Sequence, residues 1–369
     1  MKLGKREIFY RSAVVLSIFI IIAGCGGGGG KAGSGSTSGQ TTPIISGVAA
    51  AGWPLSGTVT IKDSRGVEKT VTIGVSGTYR IDVTGMTAPF GLMADGAIAG
   101  AATQLYSGAT QEDIGGNINI TPFTDLIISN VAGEISANYY SSGNFSNLTA
   151  DNLDNQDVKL QAILQPISSG VPGFPTSSID LLRTSPFLTN NTGLDAVIDL
   201  LTVTDNASTN SATITNVTNQ QAVTVDFATQ TYSVPGFSSA TTTAQSVTDI
   251  TSIVNFFNTL SELFATSLPS ATNSTLLSLF DSATFLNNDQ NLSAFLSALT
   301  SNSTNIGLTL NSLSILALDP IAGTADVNFT TNKSGTTQTM YFVLQNGSWL
   351  AEGNLNGNIA GSSTNLKEK

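Results

Sequence analysis

An N-terminal antiparallel β-sandwich, a helical middle segment, and a C-terminal α+β module of helices then a curled antiparallel sheet form the multidomain architecture this sequence predicts. Two observations carry that reading. Apolar residues recur at every second position over residues 44–121, at helical spacing after Pro122, and at helical and then strand spacing over residues 249–357. A chain of 369 residues also exceeds the usual size of one domain. Charged side chains make up only 11% of the chain, against roughly 25% in an average soluble protein. Thr, Ser, Asn and Gly take their place, a balance that suits extracytoplasmic β-rich proteins and argues against a highly charged disordered chain.

Residues 1–24 read as a signal peptide. The start, MKLGKREIFYR, is a basic n-region, and Ala13 to Ile22 form an apolar run too short to span a bilayer comfortably. Ile22, Ala23 and Gly24 then lead directly into Cys25, the only cysteine of the chain. These four residues resemble the lipobox of bacterial lipoproteins. The resemblance implies cleavage before Cys25, a diacylglycerol thioether on its sulfur, and a membrane partner held through that lipid. An ordinary signal peptide with an accidental cysteine is the plainer alternative. A transmembrane anchor is disfavoured because glycines follow the apolar run.

Residues 25–43 are a Gly/Ser-rich tether, whose average reach is roughly 20–25 Å for about seventeen flexible residues. Gly26 stands where lipoprotein sorting rules would place an aspartate for inner-membrane retention, so the resemblance implies the outer membrane, facing either the periplasm or the surface. Cleavage would leave ten basic and 24 acidic groups, a net charge of −14. Such a surface repels phosphate backbones, so no nucleic-acid partner is expected.

Between residues 44 and 121, Val59 and Ile61 alternate with Thr58, Thr60 and Lys62, and Tyr79, Ile81 and Val83 alternate with Arg80 and Asp82. Asp63-Ser64-Arg65-Gly66 and Ser76-Gly77 are turn signals. Gly47, Pro54 to Val59, Asp63, Gly66, Gly77 and Tyr79 resemble the carboxypeptidase regulatory-like, or transthyretin-like, sandwich, and the Met86–Phe90 and Ile120–Thr124 stretches resemble its continuation in surface lipoproteins. An unrelated Ig-like sandwich is the alternative. Both imply a stalk or adhesive module without catalytic residues.

Residues 122–234 read as a helical segment with a short hairpin. Ile127, Ile128, Val131 and Ile135 recur at helical spacing after a start at Thr124 and Asp125. Asp151 to Gln165 gives a second helix with Val158, Ala162 and Ile163 on one face, Gly193 to Leu201 a third, and Ala212–Thr215 with Ala222–Phe227 a hairpin. Residues 235–248 read as a linker. The α+β module follows at 249–357, with an apolar helical stripe at Ile250, Ile253, Val254, Phe257, Leu260 and Phe264, then strands to a hairpin turn at Asn346-Gly347. Residues 358–369 read as a flexible tail. This order resembles the cone-shaped NTF2-like fold, which implies a pocket for a small apolar ligand lined by Phe257, Phe264, Phe280 and Trp349. The plainer reading is that Phe257, Phe264, Phe280 and Phe285 fill an unliganded core.

The chain has no histidine, which excludes Ser-His and Cys-His nucleophiles and imidazole-built zinc sites. Asp151, Asp154 and Asp157 lie three apart with no glycine turn, which fits a solvated acidic helix face better than a calcium loop. Asp125 with Glu134, or Glu262 with Asp281, are the carboxylate pairs a His-free hydrolase would need, but nothing in the sequence brings either pair together. Asn-x-Ser/Thr triplets such as those at Asn147 and Asn291 reflect composition. No catalytic residue, metal or cofactor is expected. The functional expectation is a non-catalytic, lipid-anchored envelope protein that binds another envelope protein or a polysaccharide, or alternatively a carrier of a small apolar ligand.

Overall fold

The computed structural model describes residues 42–175, 179–238 and 243–354. The stretches read as signal peptide, as lipobox with Cys25, as nearly all of the tether and as tail therefore lie outside the described residues. The described chain is a mixed α/β protein built from several antiparallel sheets and seven α-helices.

Six strands open it: β1 (Ile44–Val48), β2 (Ser56–Asp63), β3 (Glu68–Thr72), β4 (Thr78–Asp82), β5 (Phe90–Ile98) and β6 (Ala101–Ala109). They form a two-stranded sheet, β1-β4, and a four-stranded sheet, β3-β2-β5-β6. Ile45, Val59, Ile61, Tyr79, Ile81, Phe90 and Leu92 share one buried core, as the period-two spacing requires. Residues 117–120 run parallel along the free edge of β1, where Ile118 N donates to Ser46 O at 2.7 Å and Ile120 N to Val48 O at 2.8 Å. The Tyr79 hydroxyl donates to Ile118 O across 2.5 Å. Gly47 lets this approach happen, since a Cβ there would stand 1.8 Å from Ile118 O. In the β2–β3 turn, Asp63 is fully buried. Burial raises its carboxyl, but the backbone N–H groups of Thr87, Val67 and Arg65 outweigh that effect and hold it below the ordinary carboxylate range.

The outer face of β5 and β6 is covered by α1 (Pro122–Ala132) and α2 (Ser136–Ser142), so Leu105 to Ala109 are buried on both faces. Helix α1 begins at Pro122, two residues before the Thr124 read as its start from sequence. Its cap is Thr121, which exchanges bonds with Thr124, and Pro122 occupies the first turn where no N–H partner is needed. Gly133 closes it at φ 76°. Helix α3 (Ala150–Ser168) buries Leu153, Asp157, Leu160, Leu164 and Ile167. That stripe corrects the expected face: Val158 and Ala162 are exposed and Ile163 is only half-buried.

Helix α4 (Gly193–Asp199) ends before Leu201, and the expected hairpin is the centre of a four-stranded meander. Its strands are β7 (Leu201–Asn206), β8 (Ser211–Asn216), β9 (Ala222–Asp226) and β10 (Thr231–Tyr232), ordered β10-β9-β8-β7. Of the outer strands, β7 offers only a short alternation at Leu201 and Val203 before polar residues, and β10 is only two residues long.

Helix α5 (Thr243–Leu263) starts inside the stretch read as a linker. Its first turns are Ser- and Thr-rich yet bury Ser246, Val247 and Asp249. After α6 (Ser274–Leu277), a small hairpin of β11 (Leu286–Asn287) and β12 (Gln290–Asn291) leads into α7 (Leu292–Ser301). The closing meander is β13 (Leu310–Asp319), β14 (Thr324–Thr331), β15 (Ser334–Gln345) and β16 (Ser348–Gly353), paired in chain order. Asn346 and Gly347 have φ of 52° and 79°, the left-handed pair of a type I′ turn.

Residues described from Thr42 onward form one compact unit. A second core runs from α1 through β8 and β9 to α5 and β13–β16. Polar bonds also tie the last sheet to the first ones: Trp53 Nε1 donates to Asn311 O at 2.7 Å, and Ala99 N to Ser312 Oγ at 2.8 Å. Arg183 joins three acids, with 2.6 Å to Asp113, 2.8 Å to Asp180 and 2.9 Å to Asp154.

Gly47→Ala should lower stability by about 1–3 kcal/mol, since backbone must move to admit the methyl group. Thermal unfolding should show a reduced Tm for this variant, while Gly335→Ala, with nothing within 4 Å of its added Cβ, should leave Tm nearly unchanged.

Candidate functional site

A cavity of about 680 Å³ lies in the C-terminal part, between α5, α7, the β11–β12 hairpin and the curled sheet β13–β15. Helical spacing places Phe257 and Leu260 of α5 on its wall, and Phe295 and Leu299, four apart on α7, face it from another side. Phe329 of β14 and Met340 of β15 complete an apolar floor. The aromatic rings support one another, with Phe257 4.8 Å from Phe329 and Phe280 5.8 Å from Phe295, in tilted and edge-on arrangements.

The rim is polar. Asn288 N donates to Asn354 Oδ1 at 2.8 Å, and Asn354 Nδ2 returns a bond of 2.7 Å to Asn288 Oδ1, which pins the β11–β12 hairpin to the end of β16. Gly353, at φ 86°, makes room for it: a Cβ there would stand 2.4 Å from Leu286 O. Opposite, Asn332 Nδ2 donates to Gly307 O at 2.7 Å and Thr309 N to Asn332 Oδ1 at 2.9 Å, fixing the β14–β15 turn that carries Lys333.

Of the four residues expected to line a pocket, Phe257 and Phe280 do so. Phe264 and Trp349 do not. Phe264 is fully buried in the core, and Trp349 is packed away with its Nε1 donating to the buried Asp249 Oδ1 at 3.0 Å. Helical period alone could not separate Phe257 from Phe264, which are seven apart and so share a face. Phe295, Leu299, Phe329 and Met340 were not singled out from sequence. The alternation in β14 and the i, i+4 pair on α7 were the signals available.

A second cavity, about 370 Å³, lies against β6, β7 and β13 and is lined by three acids, Asp125, Asp199 and Asp205. Burial, with the nearby Asp205 charge adding to it, pushes the Asp125 carboxyl up to about 8, against the bonds from Ser136 and Tyr106 N that favour its charged form. Burial also raises Asp205 and, together with the Asp195 charge, Asp199. The carboxylate pairs considered from sequence are not assembled there. Glu134 lines neither cavity, Glu262 is exposed, and Asp281 is buried among its own partners, Thr284, Ala283 N and Gln345. The expected acidic face on α3 also differs: Asp151 and Asp154 are exposed, but Asp157 is buried and accepts from Leu181 N at 3.1 Å. Burial lifts its carboxyl to about 7. Among the described residues, no group of three His, Cys, Asp or Glu side chains could hold a metal ion, and no helix is long and apolar enough to cross a membrane.

These raised carboxyls set a pH dependence of stability. Asp125 at about 8 and Asp157 and Asp195 at about 7 are protonated when folded, whereas the unfolded chain releases those protons near 3.8. The unfolded state therefore binds fewer protons between those values, and stability falls as pH rises through that window. Tm should be higher at pH 5 than at pH 8, and Asp125→Asn, which cannot ionise, should flatten the slope in a thermal-unfolding series.

No family model matches the chain, and no curated protein or solved structure matches it.

Proposed function

We propose that this protein is a lipid-anchored, non-catalytic envelope module whose C-terminal cavity takes up a small, largely apolar molecule. The observation that carries the reading is the aromatic-floored cavity of about 680 Å³, a volume in the range of small-molecule sites with a mostly apolar wall and a few placed polar groups. The lipobox resemblance at Ile22 to Cys25 supports placement on a membrane, and Gly26 supports the outer one. The two opening sheets and their shared core support a transthyretin-like stalk, and the helices followed by a curled meander support an NTF2-like module. The absence of histidine from the whole sequence supports a binding role over nucleophilic catalysis.

A second reading is a tethered structural module that docks on an envelope protein or polysaccharide. The long glycine tether read from sequence favours it.

Two measurements test the proposal. Cys25→Ser should abolish acyl labelling and move the protein from the membrane to the soluble fraction, and unchanged partitioning would remove the anchor. Leu299→Trp, which fills the cavity from its half-buried wall, should weaken binding of an apolar fluorescent dye roughly tenfold, about 1.4 kcal/mol. Equal dye binding by both proteins would move the ligand site elsewhere.

A further inference from the structure

The charge pattern of the cavity narrows the ligand class, an inference that rests on the reading of this cavity as a binding site. The chain carries 25 acidic and 14 basic residues, yet among the described residues no aspartate or glutamate lines the cavity and the one charged lining residue is Lys333. Three acids adjoin lining residues in sequence, and none of them is in the lining: Glu262 and Asp289 are exposed, and Asp281 is buried against Thr284, Ala283 N and Gln345. Lys333 makes no ion pair among the described residues, and its Nζ stands 3.8 Å from the position a Cβ would take on Gly307. The turn bearing it is stapled by Asn332 to Gly307 and Thr309, and Gly307 N in turn donates to Phe264 O at 2.7 Å at the end of α5. The turn thus places the exposed Lys333 at one side of an opening whose floor is aromatic and aliphatic and whose rim, among the described residues, otherwise offers neutral hydroxyls and amides.

We infer that the cavity takes a single-chain amphiphile with an anionic head, its tail lying against Phe257, Phe280, Phe295 and Phe329 and its head beside Lys333. A cationic head would meet the ammonium with no acid to offset it, and like-charge juxtaposition works against binding. An uncharged apolar ligand would leave the Lys333 ammonium without a counter-charge among the described residues. A volume of about 680 Å³ suits a drug-sized molecule and so a free amphiphile with one chain, in preference to a two-chain bilayer phospholipid.

The test compares three probes of one chain length, octanoate, octanol and octyltrimethylammonium, by calorimetric titration of the full chain in lipid nanodiscs. Heat from the same discs bearing Leu299→Trp is subtracted, which leaves binding that depends on the cavity. Octanoate should bind roughly two- to fivefold tighter than octyltrimethylammonium, as expected for a solvent-exposed charge pair. Lys333→Gln should remove that preference and Lys333→Glu reverse it, with octanol unchanged in both and circular dichroism confirming an intact fold. Equal affinity for the three probes, all lost in Leu299→Trp, would overturn the anionic head while leaving the cavity as a binding site. No cavity-dependent binding of any probe would overturn both.

Discussion

Phe256 and Phe257 stand side by side on α5 and meet the C-terminal sheet, Phe256 edge-on to Phe342 at 5.1 Å and Phe257 tilted against Phe329 at 4.8 Å. Such pairs contribute about 0.5–1.5 kcal/mol beyond the area they bury, and here they also set the separation between helix and sheet. Strand register shifts near Leu310, Ile315, Phe329 and Tyr341 curl the meander. Curled strands cannot lie flush along a straight helix. Where Phe256 turns into the core the gap is filled, and where Phe257 turns to the other side the gap stays open and is walled by α7.

The same chain places its few charges unevenly. Carboxyls are buried in the middle of the protein, at Asp125, Asp157 and Asp195, where hydrogen bonds from backbone and hydroxyl groups hold them. Among the described residues, none lines the C-terminal cavity. In a chain where charge is scarce, the presence of one lysine at the edge of an apolar opening gives that opening a polarity. Under the proposed reading, selectivity between ligand heads follows from that one side chain and not from net charge, which is negative.

Much of this arrangement was legible in sequence where apolar period was strong. The alternation at Val59 and Ile61, the stripe of α5 and the Asn346-Gly347 turn each had one structural solution. Thr- and Asn-rich elements were not legible. Strands β7 and β10 are edges that bury little, and the start of α5 is Ser/Thr-rich yet buried because its hydroxyls find partners. On α3 the apolar residues at 158, 162 and 163 pointed to a face that the longer stripe from Leu153 to Ile167 overrides. The site was half legible for a related reason. Period identifies the face of a helix that packs, but whether a packed aromatic touches side chains or open space depends on the curl of a sheet about 70 residues away, as the separation of Phe257 and Phe264 from β14 shows.

On the proposed reading two roles divide between parts of the protein: buried acids tune stability with pH, and the aromatic C-terminal opening takes a guest molecule. Native mass spectrometry of the protein released from its own membranes tests that claim most directly. The account predicts one small molecule retained per chain in the wild type and lost from Leu299→Trp. A bare wild-type spectrum under conditions that preserve weak complexes, or an adduct that persists in the variant, would contradict it.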